Sequence, residues 1–199
     1  MSKSLFVLSP LLFIFLTSCL NQTDTTTEST PKELIFKTVT ADEICSIEVP
    51  LYFEPIEKLN DQALIQYGYI DKDTTQKLLP NDAIFVTTSV FYKMDLQKII
   101  GDTVQFSLLE FNTDFVENIS LAIDEAKALH ETPLINEQNG VKSIHNEIYG
   151  SYDTDLVYYQ IGLFETEIGY YQIITWCLQD HLAKHKDEMY KITTSFKEI

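Results

Sequence analysis

The sequence has no arginine: all 14 basic side chains among its 199 residues are lysines. The flat guanidinium fork that grips carboxylates and phosphates in a bidentate manner is therefore missing. Glycine is scarce as well, at six residues, and none sits in a phosphate-cradling loop or a G-x-S-x-G elbow. H-E-x-x-H and C-x-x-C are also absent, so enzymes built on these motifs are excluded. Basic charge is outnumbered by 30 acidic residues, giving a net charge of −16. A phosphate backbone or an anionic lipid surface would be repelled, which excludes nucleic-acid binding and electrostatic membrane docking. So many carboxylates form chance pairs, and paired acids alone carry no catalytic argument.

Long apolar runs are also few. The longest, from Leu5 to Leu16, is interrupted by Ser9 and Pro10 and is too short for a bilayer of roughly 30 Å. With Lys3 before it, the run reads as a secretion signal over residues 1–18. The stretch "FIFLTSCLNQTDTTTESTP" (13–31) then changes character at one cysteine. Leu16-Thr17-Ser18-Cys19 resembles the bacterial lipobox, in which an apolar residue and two small ones precede an acylated cysteine. That resemblance implies a mature chain beginning at Cys19, carrying fatty acid such as palmitate and attached to a membrane through it. Leucine rather than aspartate follows at position 20, the pattern usual for outer-membrane sorting, so the expected place is the cell envelope, the outer membrane ahead of the inner. Removing residues 1–18 takes away Lys3 and no acid, leaving 13 lysines against 30 acids, or −17. Residues 19–32 hold almost nothing that could form a core and read as a flexible tether, which as a coil spans roughly 20 Å. One domain is expected over 33–199.

Within that domain "ICSIEVP", "ALIQYGYI" and "AIFVTTSVFY" read as strands, the last two separated by the turn-rich "DKDTTQKLLPND". Apolar residues at Phe115, Ile119, Ala122, Ile123, Ala126 and Leu129 predict one long helix closed by Pro133, with Asp114 and Glu117 in its first turn. "VKSIHNEIYG", "LVYYQIGLF" and "GYYQIITWCL" predict a strand meander, and a final helix runs from about Leu182 to Phe196. In the last two strands neither face is polar: Val157, Tyr159, Ile161 and Leu163 back onto Leu156, Tyr158 and Phe164, and Tyr170, Ile174 and Trp176 onto Tyr171, Ile173 and Cys177. Helices are therefore expected on both faces of a mainly antiparallel sheet, an α+β arrangement layered α/β/α.

"CSIEVPLYF", "KLNDQALIQYGY" and "YYQIITWCLQD" leading to "ITTSFKEI" resemble the PsbP-like fold, shared by a lumenal photosystem II subunit, a Ran-release factor and many bacterial envelope proteins. The resemblance spans about 43–199 and rests on packing positions. It implies an α/β/α sandwich acting as a non-catalytic binding or accessory module; no cofactor is expected, and the aromatic side chains point to an envelope protein or a glycan as partner. No functional residue of the family carries over.

The residues themselves offer four further candidates. In "HLAKHKDE", His181, His185 and Glu188 share one helix face at a spacing from which zinc could take three ligands, the basis of an alternative reading as a metal-dependent envelope enzyme or zinc-binding protein. Against this, His185 falls in the apolar stripe of Leu182, Met189, Ile192 and Phe196, where a hydrogen-bonded core histidine is the ordinary explanation. His130, in the last turn of the long helix, and His145, on a strand with Glu147, read as structural or solvated. Tyr158, Tyr159, Tyr170 and Tyr171 combine apolar faces with polar handles and could line a recognition surface, or simply pack. Cys45 and Cys177, the two cysteines left once Cys19 is acylated, could form a disulfide in an oxidising compartment or remain buried thiols. Asp-Thr-Thr at Asp24 and Asp73 resembles an O-glycan acceptor triplet, which Thr-rich sequence produces easily.

Overall fold

The computed structural model describes residues 34–57, 59–71, 82–100, 106–128, 132–152 and 155–199. Cys19, the signal and tether, both Asp-Thr-Thr triplets and His130 lie outside them. In chain order the elements are strands β1 (Phe36–Ala41), β2 (Cys45–Pro50), β3 (Glu54–Pro55), β4 (Ile65–Ile70) and β5 (Ala83–Tyr92), then helices α1 (Lys93–Ile100) and α2 (Leu108–Ala122). They continue with β6 (Asp124–Ala128), β7 (Asn136–Gln138), β8 (Val141–Tyr152), β9 (Asp155–Glu165), β10 (Gly169–Leu178), a 3-10 turn (Gln179–His181), α3 (Leu182–Thr194) and β11 (Lys197–Glu198).

Two antiparallel sheets result. The large one runs β3-β4-β5-β10-β9-β8-β6 with β7 also paired to β8, and the small one runs β1-β2-β11. The two-faced apolar strands β9 and β10 occupy the interior of the large sheet and supply both cores. Tyr158, Phe164, Tyr171, Ile173 and Cys177 pack with Ile47 and Val49 of the small sheet and with Met189 and Ile192 of α3. On the opposite face Ile161, Leu163 and Tyr170 pack with Ile144, Ile148, Leu108 and Phe111, so α2 covers that side. The expected sandwich is present, with one addition: on the α3 side a small sheet shares the outer layer.

The long helix is corrected at both ends. Its start lies seven residues before Phe115, because Ser107 accepts the amide of Glu110 while Glu110 accepts that of Ser107, a capping box that satisfies donors at the helix end. The helix stops at Ala122, and Asp124–Ala128 is a strand paired to β8 with a bulge. Ile123 turns to extended backbone and is buried, with its Cγ2 lying where a side chain on Gly150 would be. The apolar period that continued through Ile123 and Ala126 was thus coincidental, and tertiary packing overrides it.

Candidate functional site: a carboxylate–imidazole network

Helix α3 exposes one face and buries His185, Glu188, Met189, Ile192 and Thr193, the i, i+3, i+4, i+7 and i+8 positions of a core-facing stripe. A charged carboxylate and an imidazole in that stripe need partners, since burying either alone is costly. Both find them. His185 Nδ1 lies 2.8 Å from Glu188 Oε2 and Nε2 lies 2.8 Å from Asp82 Oδ1. The Tyr52 hydroxyl donates to Glu188 Oε1 at 2.6 Å, and Lys184 Nζ donates to Asp82 Oδ2. The Lys184 ammonium also lies 5.8 Å from the centre of the Tyr69 ring, against which Tyr52 packs edge-on.

The network fixes its own protonation state. Only an imidazolium donates from both nitrogens at once, and each nitrogen of His185 faces a carboxylate. Burial works against that charge, but the hydrogen bonds and charges of Glu188 and Asp82 outweigh it and raise the histidine above its ordinary value. For Asp82, burial opposes ionisation, yet Lys184 and His185 together hold its carboxyl below the usual range. Burial and Glu188 push the Tyr52 phenol far up, so it remains a donor. The result is an ion network joining the end of β2, the start of β5 and α3.

In this geometry the three residues weighed as metal ligands do not converge on one point, although His185 and Glu188 touch. Glu188 sits on the Nδ1 side of His185 and Asp82 on the Nε2 side, while His181, in the 3-10 turn, reaches only to 3.9 Å from Asp82 Oδ1. Each ring nitrogen of His185 lies 2.8 Å from a carboxylate oxygen, so a cation would have to displace that contact to reach it. Among the described residues no group of three or more His, Cys, Asp and Glu is arranged to hold a metal ion. Asp82 and Tyr52 were missed in the sequence, and no local signal marks them: Asp82 looks like a turn acid, and its partner is 103 residues away.

The tyrosine quartet takes the packing alternative. Tyr158, Tyr170 and Tyr171 are fully buried, because both faces of their strands are covered, so they form core and not a recognition surface; Tyr159 is half-buried and stacked on Trp176. Their hydroxyls reach partners inside the fold: Gln160 for Tyr158, the Phe106 carbonyl for Tyr170 and Glu198 for Tyr171. The surface instead presents Tyr52, Tyr92 and Tyr190. His145 is half-buried, edge-on to Phe164, with burial lowering its basicity.

Of the two alternatives for Cys45 and Cys177, the structure has the buried thiols: both are free, the first in the small sheet and the second in the large one, with Cys177 Sγ 3.7 Å from Met189 Sδ under α3. Burial raises Cys45 to about 11 and Cys177 to about 12, so neither forms thiolate readily. Iodoacetamide at pH 8 is therefore expected to label neither in the native state and both on unfolding without reductant. An unfolded chain with both still blocked would restore the bond.

Comparison of the whole architecture with solved structures places it. The solution structure of cyanobacterial PsbP (CyanoP) from Synechocystis sp. PCC 6803 matches with a TM-score of 0.52 over 92% of this chain and 99% of that one, at 8% sequence identity. The fold is PsbP-like. LpqN, described as involved in cell envelope biogenesis of Mycobacterium tuberculosis, matches with a TM-score of 0.50 over 84% of this chain and 92% of that one, at 14% identity. No family model matches the sequence, and no curated protein aligns with it significantly. At these identities the likeness is one of fold, so the PsbP-like frame locates the network without assigning it a role.

Proposed function

We propose that this protein is a lipid-anchored, non-catalytic binding or accessory domain of a bacterial cell envelope, held through acylated Cys19 and working on an envelope protein or glycan. The observation that carries this reading is the state of the buried network. Its histidine, both carboxylates and tyrosine are committed to one another at fixed geometry, as in a clamp between elements. A general base needs a lone pair within reach of a substrate proton, and His185 has spent both nitrogens. Support for the address comes from Leu16-Thr17-Ser18-Cys19 and from a PsbP-like relative described as involved in envelope biogenesis.

Growth of cells with radiolabelled fatty acid tests the anchor. Label is expected in the wild-type protein and none in Cys19→Ala, which should leave the membrane fraction or remain unprocessed, because acyl chains contribute about 0.8 kcal/mol per buried methylene. Unlabelled wild-type protein would end the reading. Crosslinking in intact envelopes followed by capture identifies the partner, and a soluble substrate turned over by the purified protein would reverse the non-catalytic assignment.

A further inference from the structure

The N-terminal edge of the domain exposes aliphatic side chains where the chain enters it. Leu34 is 45% exposed, Ile35 61%, Leu51 55% and Tyr52 42%. Ile35 and Leu51 belong together: the Leu51 amide donates to the Ile35 carbonyl at 2.8 Å, one step beyond the Phe36–Pro50 pair that begins the β1–β2 ladder. Ile35 and Leu51 are thus cross-strand neighbours whose side chains stand on one face. The other end of the same hairpin is tied down by the Ile199 amide on the Ile44 carbonyl. Lysines flank the exposed end, Lys37 Nζ lying 5.5 Å from the centre of the Tyr67 ring and Lys191 Nζ 3.9 Å from that of Phe36.

We infer that this hairpin end, with Ile35 and Leu51 at its centre and Leu34 next in the chain, docks on the bilayer to which the protein is anchored and sets the orientation of the domain there. The inference rests on the proposed acylation of Cys19. From Cys19 to Leu34 is 15 residues of sequence, over which a flexible chain would span roughly 20 Å. The patch beside the tether's point of entry is therefore the part of the domain for which the effective concentration of lipid is highest. A net charge of −16 forbids an electrostatic hold on anionic lipid, which leaves apolar contact with a zwitterionic surface. The composition suits that contact: the exposed side chains of Ile35 and Leu51 are aliphatic, as the acyl boundary requires, and the Tyr52 ring, whose hydroxyl is held by Glu188, can only border it.

The test uses the full-length acylated protein in phosphatidylcholine vesicles whose acyl chains carry bromine near the headgroup. Leu51→Trp places a reporter in the patch, and Leu121→Trp places one at a site 86% exposed at the end of α2 on the opposite face. A side chain seated about 5–10 Å into the boundary should be quenched roughly twofold relative to unbrominated vesicles. Quenching is expected at position 51 and not at 121, with Trp176 of the unsubstituted protein as baseline. If the mass of the protein shows Cys19 acylated yet position 51 is unquenched, or quenched no more than 121, the docking is wrong and the anchor stands. If Cys19 carries no acyl chain, the anchor reading fails and the docking falls with it.

Discussion

His185→Leu is expected to cost about 3 kcal/mol, the lower part of the range for breaking a buried ion pair, read as a fall in the urea midpoint at pH 7. Leucine fills much of the same space, so the loss comes from electrostatics more than from a cavity. Asp82 and Glu188, whose side chains are 13% and 6% exposed, would each lose the donor that offsets their burial. Lys184 still serves Asp82 and Tyr52 still serves Glu188, and solvent screens the Asp82 end, which is why the upper part of the range is not expected. Replacing the carboxylates too, as His185→Leu/Asp82→Asn/Glu188→Gln, should recover part of the loss, since the groups left behind are then neutral amides and not unpaired buried charges. A triple variant no more stable than the single one would show that the histidine serves packing instead.

The same network sets a pH window. His185 has a folded-state value above its unfolded one of about 6.5, so its stabilisation is complete below that value and is lost as pH rises through the folded one. Asp82 has a lowered value, so its contribution is complete above about 3.9 and lost as pH falls through the folded one. Stability should therefore decline on both sides of this interval, and His185→Leu should flatten the alkaline decline specifically.

Sequence pattern carried the large sheet well, because its strands are long and lie where both faces are covered. β5 and β10 occupy the stretches read as strands, and the two-sided apolar character of β9 and β10 implies covering layers on both faces. It carried the helical region poorly, since a 3.6-residue period running from Phe115 to Leu129 cannot report that Ile123 fits the space left by Gly150. Short β7 was overlooked although Asn139 and Gly140, at φ values of 54° and 80°, are the left-handed pair that joins a tight hairpin to β8. The site was half legible: α3 placed His185 and Glu188 together, while Asp82 and Tyr52 come from distant loops that only the fold brings near.

Gly162→Ala is expected to destabilise by about 1–3 kcal/mol, the usual cost of overpacking, and Gly162→Val by more. Strand β9 carries this glycine between Ile161 and Leu163, where higher strand propensity would normally favour the larger residue. A Cβ there would lie 2.5 Å from the Thr193 carbonyl oxygen and 2.9 Å from the Phe164 ring. The backbone oxygen belongs to the last turn of α3, so it yields only if the helix lifts. Lifting it would strain the Ser195 hydroxyl's acceptance of the Glu48 amide at 2.8 Å and the Phe164–Phe196 stack at 4.5 Å, contacts that hold the C-terminus to both sheets. Amides of α3 should therefore lose hydrogen-exchange protection ahead of those of β5. Gly140→Ala provides the contrast: nothing lies within 4 Å of an added Cβ, but φ is +80°, so its cost, about 1 kcal/mol, comes from backbone strain and should leave α3 protected. Equal protection of α3 in both variants would mean that the helix does not rest on the strand at Gly162.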